Sequence, residues 1–126
     1  MLVAAVEARP LRSLDDVAVE LGPGIVSLVG PNGAGKTNLL EALYFALTGR
    51  SFRTADRREL IPFAAPLARA EAVVRDEDGV ERRLLASVSR GEGRRHLLDG
   101  NPAEPATIAR LRPPVAVFSP DRLALV

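Results

Sequence analysis

The sequence predicts an α/β fold, and three observations carry that reading. A short apolar run, Ile25-Val26-Ser27-Leu28-Val29, feeds a glycine-rich loop that opens onto a segment of helical periodicity. Residues 70–98 alternate in polarity and are broken by turn residues, the pattern of antiparallel strands. The composition, 47% hydrophobic and 26% charged over 126 residues, is that of an ordinary packed domain.

Taken in order, residues 2–8 are apolar with little turn signal and read as a first strand. Asp15-Asp16 precede Val17-Ala18-Val19-Glu20-Leu21, an alternating second strand. Gly22-Pro23-Gly24 is turn chemistry. Residues 25–29 suit a strand buried on both faces. From Lys36 to Leu47, Leu39, Leu40, Leu43, Tyr44 and Leu47 form one apolar helical face, and Thr48-Gly49 stop the helix. Residues 50–69 read as an irregular, arginine-rich connection. Residues 71–75 and 82–89 then form a hairpin around Asp76-Glu77-Asp78-Gly79, and residues 94–98 add a third strand after Gly91-Glu92-Gly93. Asp99-Gly100-Asn101-Pro102 reads as a turn, residues 105–110 as a short helix with proline in its first turn, and residues 115–118 as a last strand. The expected organisation is a core over 1–69, an antiparallel lobe with a short helix over 70–112, and a return strand and loop over 113–126.

Composition excludes several chemistries. With no cysteine there is no disulfide framework and no thiolate zinc site, and the single histidine, His96, cannot make a histidine-rich metal centre. The apolar runs are too short for a transmembrane helix, and the start lacks the pattern of a signal peptide, so a cytoplasmic protein without membrane contact is expected. The net charge of +1 argues neither for nor against nucleic acid. Of the 17 basic residues only Lys36 is lysine, which singles it out.

Gly30-Pro31-Asn32-Gly33-Ala34-Gly35-Lys36-Thr37 is a full Walker A pattern, Gly-x-x-x-x-Gly-Lys-Thr, placed between a strand and a helix as its chemistry requires. Glycine lets successive backbone N–H groups turn toward phosphate oxygens, and the helix start adds partial positive charge. Lys36 reaches the β- and γ-phosphates, and the Thr37 hydroxyl ligates Mg²⁺. A GTPase base-reading Asn-Lys-x-Asp motif is impossible with a single lysine. A small nucleotide or metabolite kinase remains an alternative, as does a nucleotide-binding module without hydrolysis.

The segment from Gly30 through Asn38-Leu39-Leu40-Glu41-Ala42 resembles the Walker A region of the RecF family and, more loosely, of SMC-type heads. Ser51-Phe52-Arg53-Thr54 and Phe118-Ser119-Pro120-Asp121 resemble further segments of that family. The resemblance implies a P-loop NTPase of the ABC/SMC-head type, N-terminal portion, about the first third of a family member. It implies ATP and Mg²⁺ as cofactors, an ATP-dependent homodimer and binding to single-stranded and gapped duplex DNA. It further implies work with RecO and RecR to place RecA at gaps. Asn38 and Arg12 join the nucleotide-binding set by the same resemblance. The family's Walker B, signature motif and catalytic glutamate are expected beyond residue 126, so no catalytic residue is assigned here. Arg122 departs from the family's acidic residue, and Leu11 from its aromatic one.

Arginines supply the nucleic-acid candidates. Arg50, Arg53, Arg57 and Arg58 form one cluster; Arg90, Arg94 and Arg95 flank a hairpin turn beside His96. For both, phosphate contact and a solvated surface are open readings. Arg53, inside the family segment, is also a candidate for organising the nucleotide site or dimer face. Phe52, Phe63 and Phe118 read as core, Glu41 as surface or core edge, and Asp76-Glu77-Asp78 as a turn.

Overall fold

The computed structural model describes residues 2–21, 36–113, 116–119 and 122–125. Its centre is one six-stranded antiparallel sheet with a helix across it. The strands are β1 (Leu2–Ala8), β2 (Val17–Glu20), β3 (Leu67–Arg75), β4 (Glu81–Ser89), β5 (Gly93–Leu98) and β6 (Asn101–Pro102), in the spatial order β2-β1-β3-β4-β5-β6. The helices are α1 (Lys36–Thr48) and α2 (Pro105–Leu111), and Arg57–Leu60 make a 3-10 turn. A separate hairpin pairs β7 (Ala116–Ser119) with β8 (Arg122–Leu125). The expected strand over 25–29 lies outside the described residues. No described helix is long and apolar enough to cross a membrane.

Helix α1 packs on the sheet through its buried Ala42, Phe45 and Ala46, and the sheet answers with Ala8, Ala68, Ala70, Ala72 and Ala86. Small side chains let the helix backbone come close, and larger Val6, Val74, Leu84 and Val88 fill the flanks of the same core. Alternation puts every second residue of β3 into this core, from Ala68 to Val74.

The structure corrects the sequence reading at four places. Strand β3 starts at Leu67, because the buried alternation already begins at Ala68, so the connection is shorter than 50–69 and contains the 3-10 turn. The expected boundary at residue 70 falls inside β3, which pairs with β1 on one side and β4 on the other. Asn101-Pro102 is a short strand and not turn: Asp99 and Gly100, both at positive φ, turn the chain alone. Phe63 is fully exposed and not core, whereas Phe52 meets Tyr44 edge-on with ring centroids 5.4 Å apart. Asp76 holds the β3–β4 turn by accepting from the backbone N–H groups of Asp78 and Val80, both at 2.9 Å.

Candidate nucleotide-binding site

The start of α1 is where the Walker A pattern meets described structure. Gly30, Pro31, Asn32, Gly33, Ala34 and Gly35 lie outside the described residues. Lys36 is the first residue of α1 and Thr37 is exposed on its first turn, which carries no acidic residue. The backbone N–H groups of a first helical turn have no intrahelical acceptor, so this end favours an anion.

Beside that end stands a polar cluster centred on Glu41, one turn beyond Thr37. Glu41 has no exposed surface. Arg12 donates to it through both Nε and Nη2, the latter to Oε2 at 3.2 Å. Arg53 Nη1 donates to Oε1 at 3.2 Å and to Asn38 Oδ1 at 2.7 Å. Ser51 Oγ donates to Oε2 at 2.6 Å, and Asn38 Nδ2 donates to Ser13 Oγ at 2.7 Å. Burying a carboxylate is costly unless it is paired and hydrogen-bonded, and here both oxygens are supplied. No buried side-chain nitrogen or oxygen among the described residues lacks a partner.

Local structure explains why these residues converge. Arg12 sits at φ 49 just after β1, where its N–H donates to the Leu60 carbonyl at 2.8 Å and Leu11 is fully buried. Ser51 Oγ accepts from the N–H groups of Arg53 and Thr54, folding the Ser-Phe-Arg-Thr segment back along α1.

The arginines that cluster in sequence separate in space. Arg53 lies at the N-terminal half of α1. Arg57 turns to the other end, where its Nε donates to the Gly49 carbonyl at 2.7 Å. Burial, then the charges of Arg94 and Arg50, hold the Arg57 pKa below its ordinary value. Arg58 is exposed and forms a two-armed pair with Asp56, at 3.0 and 3.1 Å. Arg94 and Arg95, adjacent on β5, point to opposite faces of the sheet. Arg94 shares the face of His96, whose Nε2 lies 2.9 Å from the Ala46 carbonyl. That oxygen can only accept, so Nε2 carries the proton. Burial lowers the His96 pKa, with Arg94 and Arg112 acting in the same sense against the Ala46 hydrogen bond. A cavity of about 320 Å³ opens here, lined by Tyr44, Thr48, Arg50, His96, Ile108 and Arg112. Arg50, Arg57 and Arg94 therefore gather at one end of α1, and Arg12 and Arg53 at the other, about 15 Å away by helical rise.

Glu41 was not singled out as a site residue from sequence. The signal was present: a lone carboxylate between Leu40 and Ala42 on an otherwise apolar segment needs a cationic partner.

The fold is that of a P-loop ATPase head of the SMC/RecF type. The chain belongs to the AAA domain family, whose model matches residues 7–94. Over all 126 residues it is 36% identical to the DNA replication and repair protein RecF of Chlamydia trachomatis serovar L2, and it spans about a third (34%) of that relative. Among solved structures it is similar to the recombination mediator protein RecF-ATPrS of the RecFOR pathway. That likeness has a TM-score of 0.82 and 26% identity, over 95% of this chain and 32% of the other. It also shares the fold of an SMC ATPase structure concerned with ATP-driven dimerization and DNA-stimulated activation. There the TM-score is 0.77 and the identity 23%, over 87% of this chain and 76% of that one.

Proposed function

We propose that this chain is the Walker A portion of a RecF-type ATPase that binds ATP with Mg²⁺, dimerises on it and binds DNA during recombinational and replication-gap repair. The observation that carries the reading is the meeting of the Walker A pattern with the start of α1, where Arg12 and Arg53 are held beside the first turns. The match to the RecF relative along all 126 residues of this chain, and the likeness to the RecF-ATPrS structure, support it.

In this reading the loop 30–35 and the first N–H groups of α1 cradle the phosphates, and Lys36 contacts the terminal ones. The residues present fit a metal-bound nucleotide: Thr37 is exposed on the first turn, and its hydroxyl would be the group that ligates Mg²⁺. The metal, when bound, neutralises phosphate charge. Arg12 and Asn38 complete the nucleotide side of the site. Arg94, with Arg57 near it, offers charge to a DNA backbone on one face; Arg95 lies apart from that group, and Arg58, paired with Asp56, would meet a phosphate only by exchanging that partner. Loading of RecA together with RecO and RecR, in single-stranded gaps and in the cytoplasm, belongs to the same proposal. A small P-loop kinase is the weaker reading, because a six-stranded antiparallel sheet packed on the Walker A helix is the arrangement of the SMC and RecF heads.

The test is ATP-driven dimerisation of the full-length protein by light scattering. Lys36→Ala is expected to abolish most of it, since losing a charge-assisted phosphate contact costs about 1.5–3 kcal/mol, roughly ten- to 150-fold. Dimerisation of Lys36→Ala at the wild-type level would contradict the assignment.

A further inference from the structure

We propose that Glu41 is a positioning residue of the nucleotide site, holding Arg12 and Arg53 as a half-neutralised pair of guanidinium groups that a polyphosphate completes. The inference rests on the ATP-binding reading and deepens it by giving a role to a side chain inside the core.

Charge stoichiometry is the first argument. Two guanidinium groups share one carboxylate oxygen, and Glu41 is the one acid paired with either among the described residues. The cluster therefore carries an excess of one positive charge. That excess is not buried: the Arg12 and Arg53 side chains are 23% and 36% exposed, while Glu41 is fully enclosed. The anion sits inside and the cations face out, beside a helix start with no acidic residue in its first turn.

Rigidity is the second argument. Ser51 fixes Oε2, Arg12 holds both oxygens, and Asn38 ties Arg53 to Ser13 across the start of α1. Arg12 also occupies a left-handed backbone conformation, rare for a side chain of its size, and the Leu60 carbonyl holds its N–H there. Long arginine side chains lose much rotamer freedom on binding a ligand, and a guanidinium already fixed by a buried carboxylate has lost it beforehand. Glu41 touches no phosphate itself; it acts through the two arginines.

The experiment is an equilibrium ATP titration of the full-length protein in four forms: wild type, Glu41→Gln, Arg12→Ala/Arg53→Ala, and the triple variant. Glutamine keeps the shape and removes the charge. The proposal expects Glu41→Gln to weaken ATP binding about tenfold alone, and by less than about twofold when both arginines are already absent. A residue that merely supports the fold would lower affinity equally in both backgrounds, and that result overturns the proposal. So does wild-type affinity in Glu41→Gln. If the wild-type protein binds no ATP, the nucleotide reading fails as well, which separates the two failures. Should Glu41→Gln not fold, Arg53→Gln and Arg12→Ala are combined instead. Their effects on ATP affinity are expected to be coupled through the shared carboxylate, and strict additivity would refute that coupling.

Discussion

At the scale of single residues, enclosure of Glu41 sets the local energetics. Removing one partner of a fully buried ion pair costs about 3–5 kcal/mol because the remaining charge is stranded. Arg12 and Arg53 both reach solvent, which relieves part of that penalty. Glu41→Ala is therefore expected to lower stability by about 2–3 kcal/mol, read by urea unfolding. His96 makes a second prediction. Its pKa is lowered in the folded state, so below the unfolded value of about 6.5 the unfolded chain takes up the proton first. Stability should fall as pH drops below about 6.5 and level off once the folded imidazole is also protonated. His96→Gln, which can still donate to Ala46, should flatten that dependence; an unchanged profile would show that other groups set it. The sequence marked Arg12, Asn38 and Arg53 but not what joins them. Glu41, Ser51 and Ser13 meet them only after β1 and the segment around residue 53 are brought to the same side of α1.

Elements were legible where the pattern was long. The alternation of β4, the 3.6-residue period of α1 and the turn at Asp76-Gly79 are all visible in the residues. The start of β3 was not, because Ala68 and Ala70 carry a weak apolar signal and the reason for alanine is the helix lying over them. Gly49 tests this level. It lies at φ +73 just past α1, and a Cβ there would stand 2.9 Å from Arg94 Nη1 and 3.3 Å from His96 Nδ1. A left-handed residue other than glycine costs about 1–2 kcal/mol, so Gly49→Ala should destabilise by at least that amount. Gly91 has open space around it and no positive φ, so Gly91→Ala should change stability by less than about 1 kcal/mol in either direction. Equal losses at the two positions, measured by urea unfolding, would contradict this account. The alanine contacts give a parallel expectation: Ala72→Leu should cost about 1–3 kcal/mol by forcing α1 off the sheet.

For the whole molecule, the division of the arginines between the two ends of α1 separates two proposed activities. Arg53 reaches Asn38 and Glu41 through Nη1, and at the proposed nucleotide or dimer face its planar guanidinium would offer a two-armed contact that a lysine ammonium lacks. Arg53→Lys in the full-length protein should lose ATP-driven dimerisation while its DNA-binding salt dependence stays unchanged. Arg94 offers charge alone, so Arg94→Lys should keep both properties, and Arg94→Ala should flatten the log–log salt slope by about 0.9 on duplex DNA. The Walker A pattern marked the start of α1 in the sequence as the candidate nucleotide end, whereas the opposite faces of Arg94 and Arg95 required knowing the register of β5. The most direct test of the central claim is the affinity of full-length wild type and Lys36→Ala for ATP with Mg²⁺, measured by calorimetry. The account predicts saturable binding by the wild type and a loss of roughly ten- to 150-fold in the variant, with its fold intact. Equal affinity in the two proteins, or no binding by the wild type, would contradict it.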